Sequence, residues 1–68
     1  MKLQDYLKEN KINQRAFAKL VGVTQPHIQG IAKNTRLPSV YLAKKIEIVT
    51  EGKVSAIELL GIRIYEKN

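Results

Sequence analysis

Apolar residues recur at helical spacing along most of the chain. Leu3, Tyr6 and Leu7 share one face at three- and four-residue intervals, which predicts a first helix from about Lys2 to Glu9. Beyond it, one helix-start arrangement appears three times: an apolar residue, a small polar N-cap, then a second apolar residue five places after the first. This is the hydrophobic staple, in which the residue before the cap packs on the fourth helical residue. It reads as Ile12, Asn13 and Phe17, as Val23, Thr24 and Ile28, and as Val54, Ser55 and Leu59. Glu58 adds to the third a Ser-x-x-Glu capping box with Ser55. Pro38 and Ser39 open a further helix, which runs through Leu42, Ala43, Ile46 and Val49 until Gly52 ends it. Five helices joined by short loops, the longest at 33–38, predict a compact all-α domain.

The last residues read differently. Ile62, Arg63, Ile64 and Tyr65 alternate apolar and polar in the manner of a strand, in a run too short to form a sheet alone. Residues 61–68 are therefore expected to be a short strand or arm if a second chain pairs with them, and a frayed tail otherwise.

Only Val21, Gly22 and Val23 separate the second and third helices. Gly22 can take the positive φ of a tight turn without a Cβ clash, and Ala18 is small enough to let two helices cross closely. The stretch 14–33 thus predicts a helix-turn-helix. On a wheel at about 100° per residue with Gln25 at zero, Gln29 falls near 40°, Lys33 near 80°, Pro26 near 100° and Gly30 near 140°, while Ile31 and Ile28 fall near 240° and 300°. The isoleucines face a core. Gln25, Gln29 and Lys33 form an outward stripe whose amides can pair with adenine's major-groove edge and whose ammonium can reach guanine or a phosphate. On the second helix Ala16, Phe17, Leu20 and Val21 are expected inside, and Arg15 and Lys19 outside.

Charge sharpens this picture. Of twelve Lys and Arg, seven lie between Asn10 and Lys45 (Lys11, Arg15, Lys19, Lys33, Arg36, Lys44, Lys45) with no Asp or Glu among them; outside that window five basic residues face six acidic ones. The net charge of +6 thus belongs to the middle of the chain, as in a polyanion-binding face. A solvated lysine-rich surface is the plain alternative. With 68 residues there is room for one domain with a small core, and with no cysteine there is neither disulfide nor thiolate metal site to brace it. Large catalytic clefts are excluded by the same arithmetic.

The run Gln14, Arg15, Ala16, Phe17, Ala18, Lys19, Leu20, Val21, Gly22, Val23, Thr24, Gln25 resembles the helix-turn-helix of the phage Cro and repressor family, and residues 42–54, with Glu47, Ile48, Val49, Thr50, Glu51 and Gly52, resemble Cro-like regulators. The resemblance implies a lambda-repressor-like fold and a small transcriptional repressor that binds a palindromic double-stranded DNA operator as a homodimer. By position it implies that Gln25, Pro26, Gln29 and Gly30 occupy base-facing slots, and that Gln14 and Arg36 hold phosphates. The residue-level reading adds Lys33 to the base-facing set, and Arg15, Lys19, Thr24, His27, Asn34 and Thr35 to the phosphate-binding set. Two base-facing residues depart from the family pattern. Pro26 cannot hydrogen-bond a base, though its ring can meet a thymine methyl. Gly30 carries no side chain, weakens a helix interior by about 0.5–1 kcal/mol, and is expected to let DNA approach closely.

Other chemistry finds little support. His27 is the only histidine and has no acidic neighbour, so no metal site is expected; no nucleotide-binding glycine loop is present. No cofactor, small-molecule substrate, catalytic residue or membrane span is expected, and the chain reads as cytoplasmic, nucleoid-associated in a bacterial host. Glu47, Glu51, Asp5 and Glu9 are expected to do no more than keep helices soluble. Tyr41 and Ile48 give the fourth helix a second apolar edge, expected to pack on the fifth helix or to join Ile62 and Ile64 in a dimer contact. An antitoxin or autoregulator of the same class, and a protein-binding helical module that has lost DNA reading, are the alternatives. RNA binding has too few exposed aromatics behind it.

Overall fold

A computed structural model describes residues 1–61. Five helices follow one another: α1 (Leu3–Glu9), α2 (Gln14–Val21), α3 (Gln25–Ala32), α4 (Val40–Val49) and α5 (Ala56–Leu60), with no strand among the described residues. The caps explain the boundaries. Asn13 Oδ1 accepts from Ala16 N at 2.7 Å, Ser39 Oγ from Leu42 N at 3.1 Å, and Ser55 Oγ from Glu58 N at 3.1 Å. Each satisfies a backbone donor that the first helical turn leaves unpaired, an effect of about 1 kcal/mol.

The first four helices end by one device. Ile12 N donates to Leu7 O, Val23 N to Ala18 O, Thr35 N to Gly30 O and Gly52 N to Glu47 O, all at 2.8–2.9 Å. Each closure needs a left-handed residue just before its donor: Lys11 (φ 55°), Gly22 (φ 80°), Asn34 (φ 64°) and Glu51 (φ 57°). Only one of the four is glycine. The chain leaves α4 at Glu51, one residue earlier than the expected stop at Gly52, which follows it in the same region of φ.

Leu3, Leu7, Phe17, Ala18, Val21, Ile28, Ile31, Leu42, Ile46 and Val54 form one buried cluster. Tyr6 on α1 meets Phe17 on α2 edge-on, with ring centroids 6.3 Å apart. The closest pairings are α2 with α3 and α4 with α5, while α2 against α4 and α1 against α3 close the domain.

Several expectations change. Leu20 is 57% exposed and Ala16 is also exposed, so the inner side of α2 consists of Phe17, Ala18 and Val21 with Gln14 at its edge. These positions fall within one arc at about 100° per residue, and Leu20 lies outside it whatever its hydrophobicity. Tyr41 and Ile48 do not pack on α5: they are 76% and 75% exposed. The reciprocal half of the Ser55 capping box is replaced, since Glu58 Oε1 accepts from the Met1 amino group at 2.9 Å. Glu47 does more than solubilise α4, because its Oε1 accepts from Ala56 N at 3.2 Å and so caps α5 from a neighbouring helix. The expected arm and its Ile62 and Ile64 lie outside the described residues.

Thr50 is the one buried polar side chain among the described residues, 1% exposed. Its Oγ1 donates to Ile46 O at 2.9 Å and accepts from Val54 N at 3.1 Å, which joins the end of α4 to the approach to α5. We expect Thr50→Val, which keeps the volume and strands the Val54 N-H, to lower stability by about 1–3 kcal/mol. Thr50→Ser, which keeps the hydroxyl, should cost less in urea unfolding. Equal losses would mean that packing, and not the hydroxyl, holds this corner.

Candidate nucleic-acid interface

At eight residues, α3 is too short to persist as an isolated helix in water. Tertiary contacts hold it: Ile28 is 0% and Ile31 3% exposed, with Ala32 buried beside them. With that side fixed, Gln25, Pro26 and Gln29 are exposed on the other, and Lys33 follows as the exposed C-cap. His27 is half-buried at the edge between the two sides.

The helix N-termini add a second feature. Asp5 and Glu58 sit in the first turns of α1 and α5, whereas α2, α3 and α4 have no acid there. At α2 and α3 the positive dipole ends are left without a local carboxylate, the condition under which a helix start attracts a phosphate, although Asn13 already takes up one N-H of α2. Thr24, the N-cap of α3, is exposed and makes no side-chain cap bond, so its hydroxyl remains available. Arg15 and Lys19 are exposed on α2, and Gln14 is half-buried at its start.

Downstream of α3 the structure departs most from expectation. Asn34 takes up the left-handed turn, and Thr35 binds back to Gly30 twice, through its N-H at 2.9 Å and its Oγ1 at 3.2 Å. The reversal lays Arg36 over Gly30. A Cβ at Gly30 would stand 3.1 Å from Arg36 Cβ and 3.3 Å from Arg36 Cδ. Gly30 is therefore half-buried beneath its own following loop, and the room left by its missing side chain is taken by Arg36. Nothing in the spacing of residues 30–36 signals this, because it depends on Asn34 turning left-handed.

The tight turn between α2 and α3 is as predicted, with Gly22 at φ 80° and its N-H donating to Ala18 O at 2.8 Å. Helices α2 and α3, so joined, are matched by a family model. Residues 3–57 fit the model described as helix-turn-helix. The chain belongs to the helix-turn-helix family. Its general activity follows from membership: it is a DNA-binding domain of the kind that regulates transcription. No curated protein and no solved structure matches it.

Two further features of this helix-turn-helix domain escaped the sequence. Lys45 reaches from α4 to the turn, its Nζ 3.9 Å from where a Cβ on Gly22 would stand. An ammonium there complements the carbonyl end of α2. On the outer side of α4, Tyr41, Lys44, Lys45, Ile48 and Val49 line an open groove of about 510 Å³. Among the described residues no group of three His, Asp or Glu is placed to hold a metal, and no helix is long and apolar enough to cross a membrane.

Because the nearest atom to a Gly22 Cβ is at an ordinary contact distance, a substitution there is opposed by φ alone. Gly22→Ala should cost about 1–2 kcal/mol and Gly22→Asn less, since Asn tolerates the left-handed region. Thermal unfolding of both variants checks this; equal costs would place the strain elsewhere.

Proposed function

We propose that the protein is a sequence-specific repressor of the Cro type, from a phage or prophage, which places α3 in the major groove of a two-fold symmetric operator. The observation that carries this is the division of α3 into a buried isoleucine side and an exposed amide side, within a stretch of chain that holds seven basic residues and no acid. Gln25 and Gln29 read base edges, with Lys33 at the end of the stripe and Pro26 against a thymine methyl. Gln14, Arg15, Lys19, Thr24, His27, Asn34 and Thr35 grip or border the phosphates, and the acid-free starts of α2 and α3 help to set the register. Asn34 and Thr35 have a structural duty as well, since they form the loop that closes α3.

Affinity comes mainly from the phosphates. Each one neutralised adds about 0.9 to the slope of log affinity against log salt, so binding should weaken steeply as salt rises. Repression itself needs no catalysis: occupancy of an operator suffices. A dimer would present two α3 helices about 34 Å apart, one turn of duplex. The exposed Tyr41 and Ile48 support a contact between copies on the α4 side, which Ile62 and Ile64 would extend.

Selection of bound duplexes from a random pool tests the proposal. The wild type should enrich a two-fold symmetric site, and Gln29→Ala should relax preference at one base pair per half-site by about five- to 150-fold, the range of a good bidentate contact. Enrichment of no duplex at low salt would contradict DNA reading altogether. For the dimer, Ile48→Glu should weaken binding to the full site while leaving an isolated half-site unaffected. Equal affinity of both proteins for the full site would remove Ile48 from the contact.

A further inference from the structure

We propose that Arg36, seated in the notch at Gly30, reads a guanine in the major groove and supplies the base contact that Pro26 and Gly30 cannot make. The inference rests on the DNA-binding reading above and deepens it. On the exposed arc of α3, Gln25 and Gln29 carry hydrogen-bonding groups, whereas Pro26 and Gly30, one turn apart on the neighbouring strip, carry none. Arg36 covers that strip at Gly30. Its Cβ and Cδ lie 3.1 Å and 3.3 Å from the position of an absent Gly30 Cβ, so the stem starts out against the helix face while the side chain remains exposed.

Three observations favour a base edge over a phosphate. The stem is placed by backbone, since the left-handed Asn34 and the two Thr35 bonds to Gly30 O fix the loop from which it starts. The guanidinium has no ion-pair partner among the described residues, leaving its fork of donors free. Gly30, over which the stem lies, also shares the outward arc of α3 with the glutamines, and a planar fork of N-H donors matches guanine O6 and N7. Glycine at position 30 is then a specificity device: any side chain there would compete with the arginine stem for the same space.

Random-pool selection with Arg36→Lys, Arg36→Ala and Gly30→Ala, each checked for folding by circular dichroism, tests the assignment. We expect the wild-type site to hold a guanine in each half that both Arg36 variants cease to prefer, with a loss of about five- to 150-fold in discrimination. Preference at the Gln29 position should be retained. Arg36→Lys should bind random duplex as well as the wild type does, since the charge is kept, and Gly30→Ala should lose the same guanine by displacing the stem. Equal weakening of all duplexes by Arg36→Ala, with the selected site unchanged, would reduce Arg36 to a phosphate contact and overturn the proposal. A selected site unchanged in Gly30→Ala would overturn the role of the notch. A wild type that enriches no site would overturn the DNA reading itself, and this inference with it.

Discussion

The burial of Ile28 and Ile31 behind α3 is the constraint on which the domain's use depends. A helix of eight residues with proline in its first turn and glycine in its interior has little intrinsic stability. It holds its shape because those two side chains enter the same cluster as Phe17, Val21 and Ile46. Burying each is worth about 1.5–3 kcal/mol, more than the glycine costs. The same burial fixes the rotation of α3 about its axis. Function follows from that rotation, since it decides which side chains a duplex can meet.

The surrounding structure protects the arrangement at few points. Gly22 reverses the chain before α3, Asn34 reverses it afterwards, and both closures are completed by backbone hydrogen bonds of 2.9 Å. At the opposite end, Thr50 and Glu47 tie α4 to α5 with side-chain bonds to backbone N-H groups. Among the described residues the acids lie on α1 and α5 and at the later part and end of α4, and the N-terminal ends of α2, α3 and α4 carry none. Scaffold and interface divide the charged residues between them.

Much of this was legible in the sequence. Asn13, Thr24 and Ser55 are N-caps where the staple places them, because the motif is local and its geometry is set within five residues. Gly22 was legible for the same reason. Leu20 and Ala16 are apolar yet lie outside the buried arc of α2, which Phe17, Ala18 and Val21 already fill, so hydrophobicity alone does not report their side. Glu47, Thr50 and Lys45 act across elements, and no local pattern reports which helix a side chain will meet. The seat of Arg36 on Gly30 was hidden for a different reason. It requires a non-glycine residue, Asn34, at positive φ, which sequence permits without demanding. The base-facing surface that was legible as Gln25 and Gln29 therefore has a neighbour that only the folded loop reveals.

The central claim is that the polar side of α3 meets DNA while its isoleucine side stays in the core. Nitrogen–proton NMR titration with a duplex carrying the selected half-site tests it most directly. The account predicts the largest shifts at residues 24–36 and at the start of α2, with Ile28 and Ile31 side chains remaining buried and the Tyr41 and Ile48 side of α4 unmoved by a half-site. Shifts concentrated on α4, with α3 left unchanged, would contradict it.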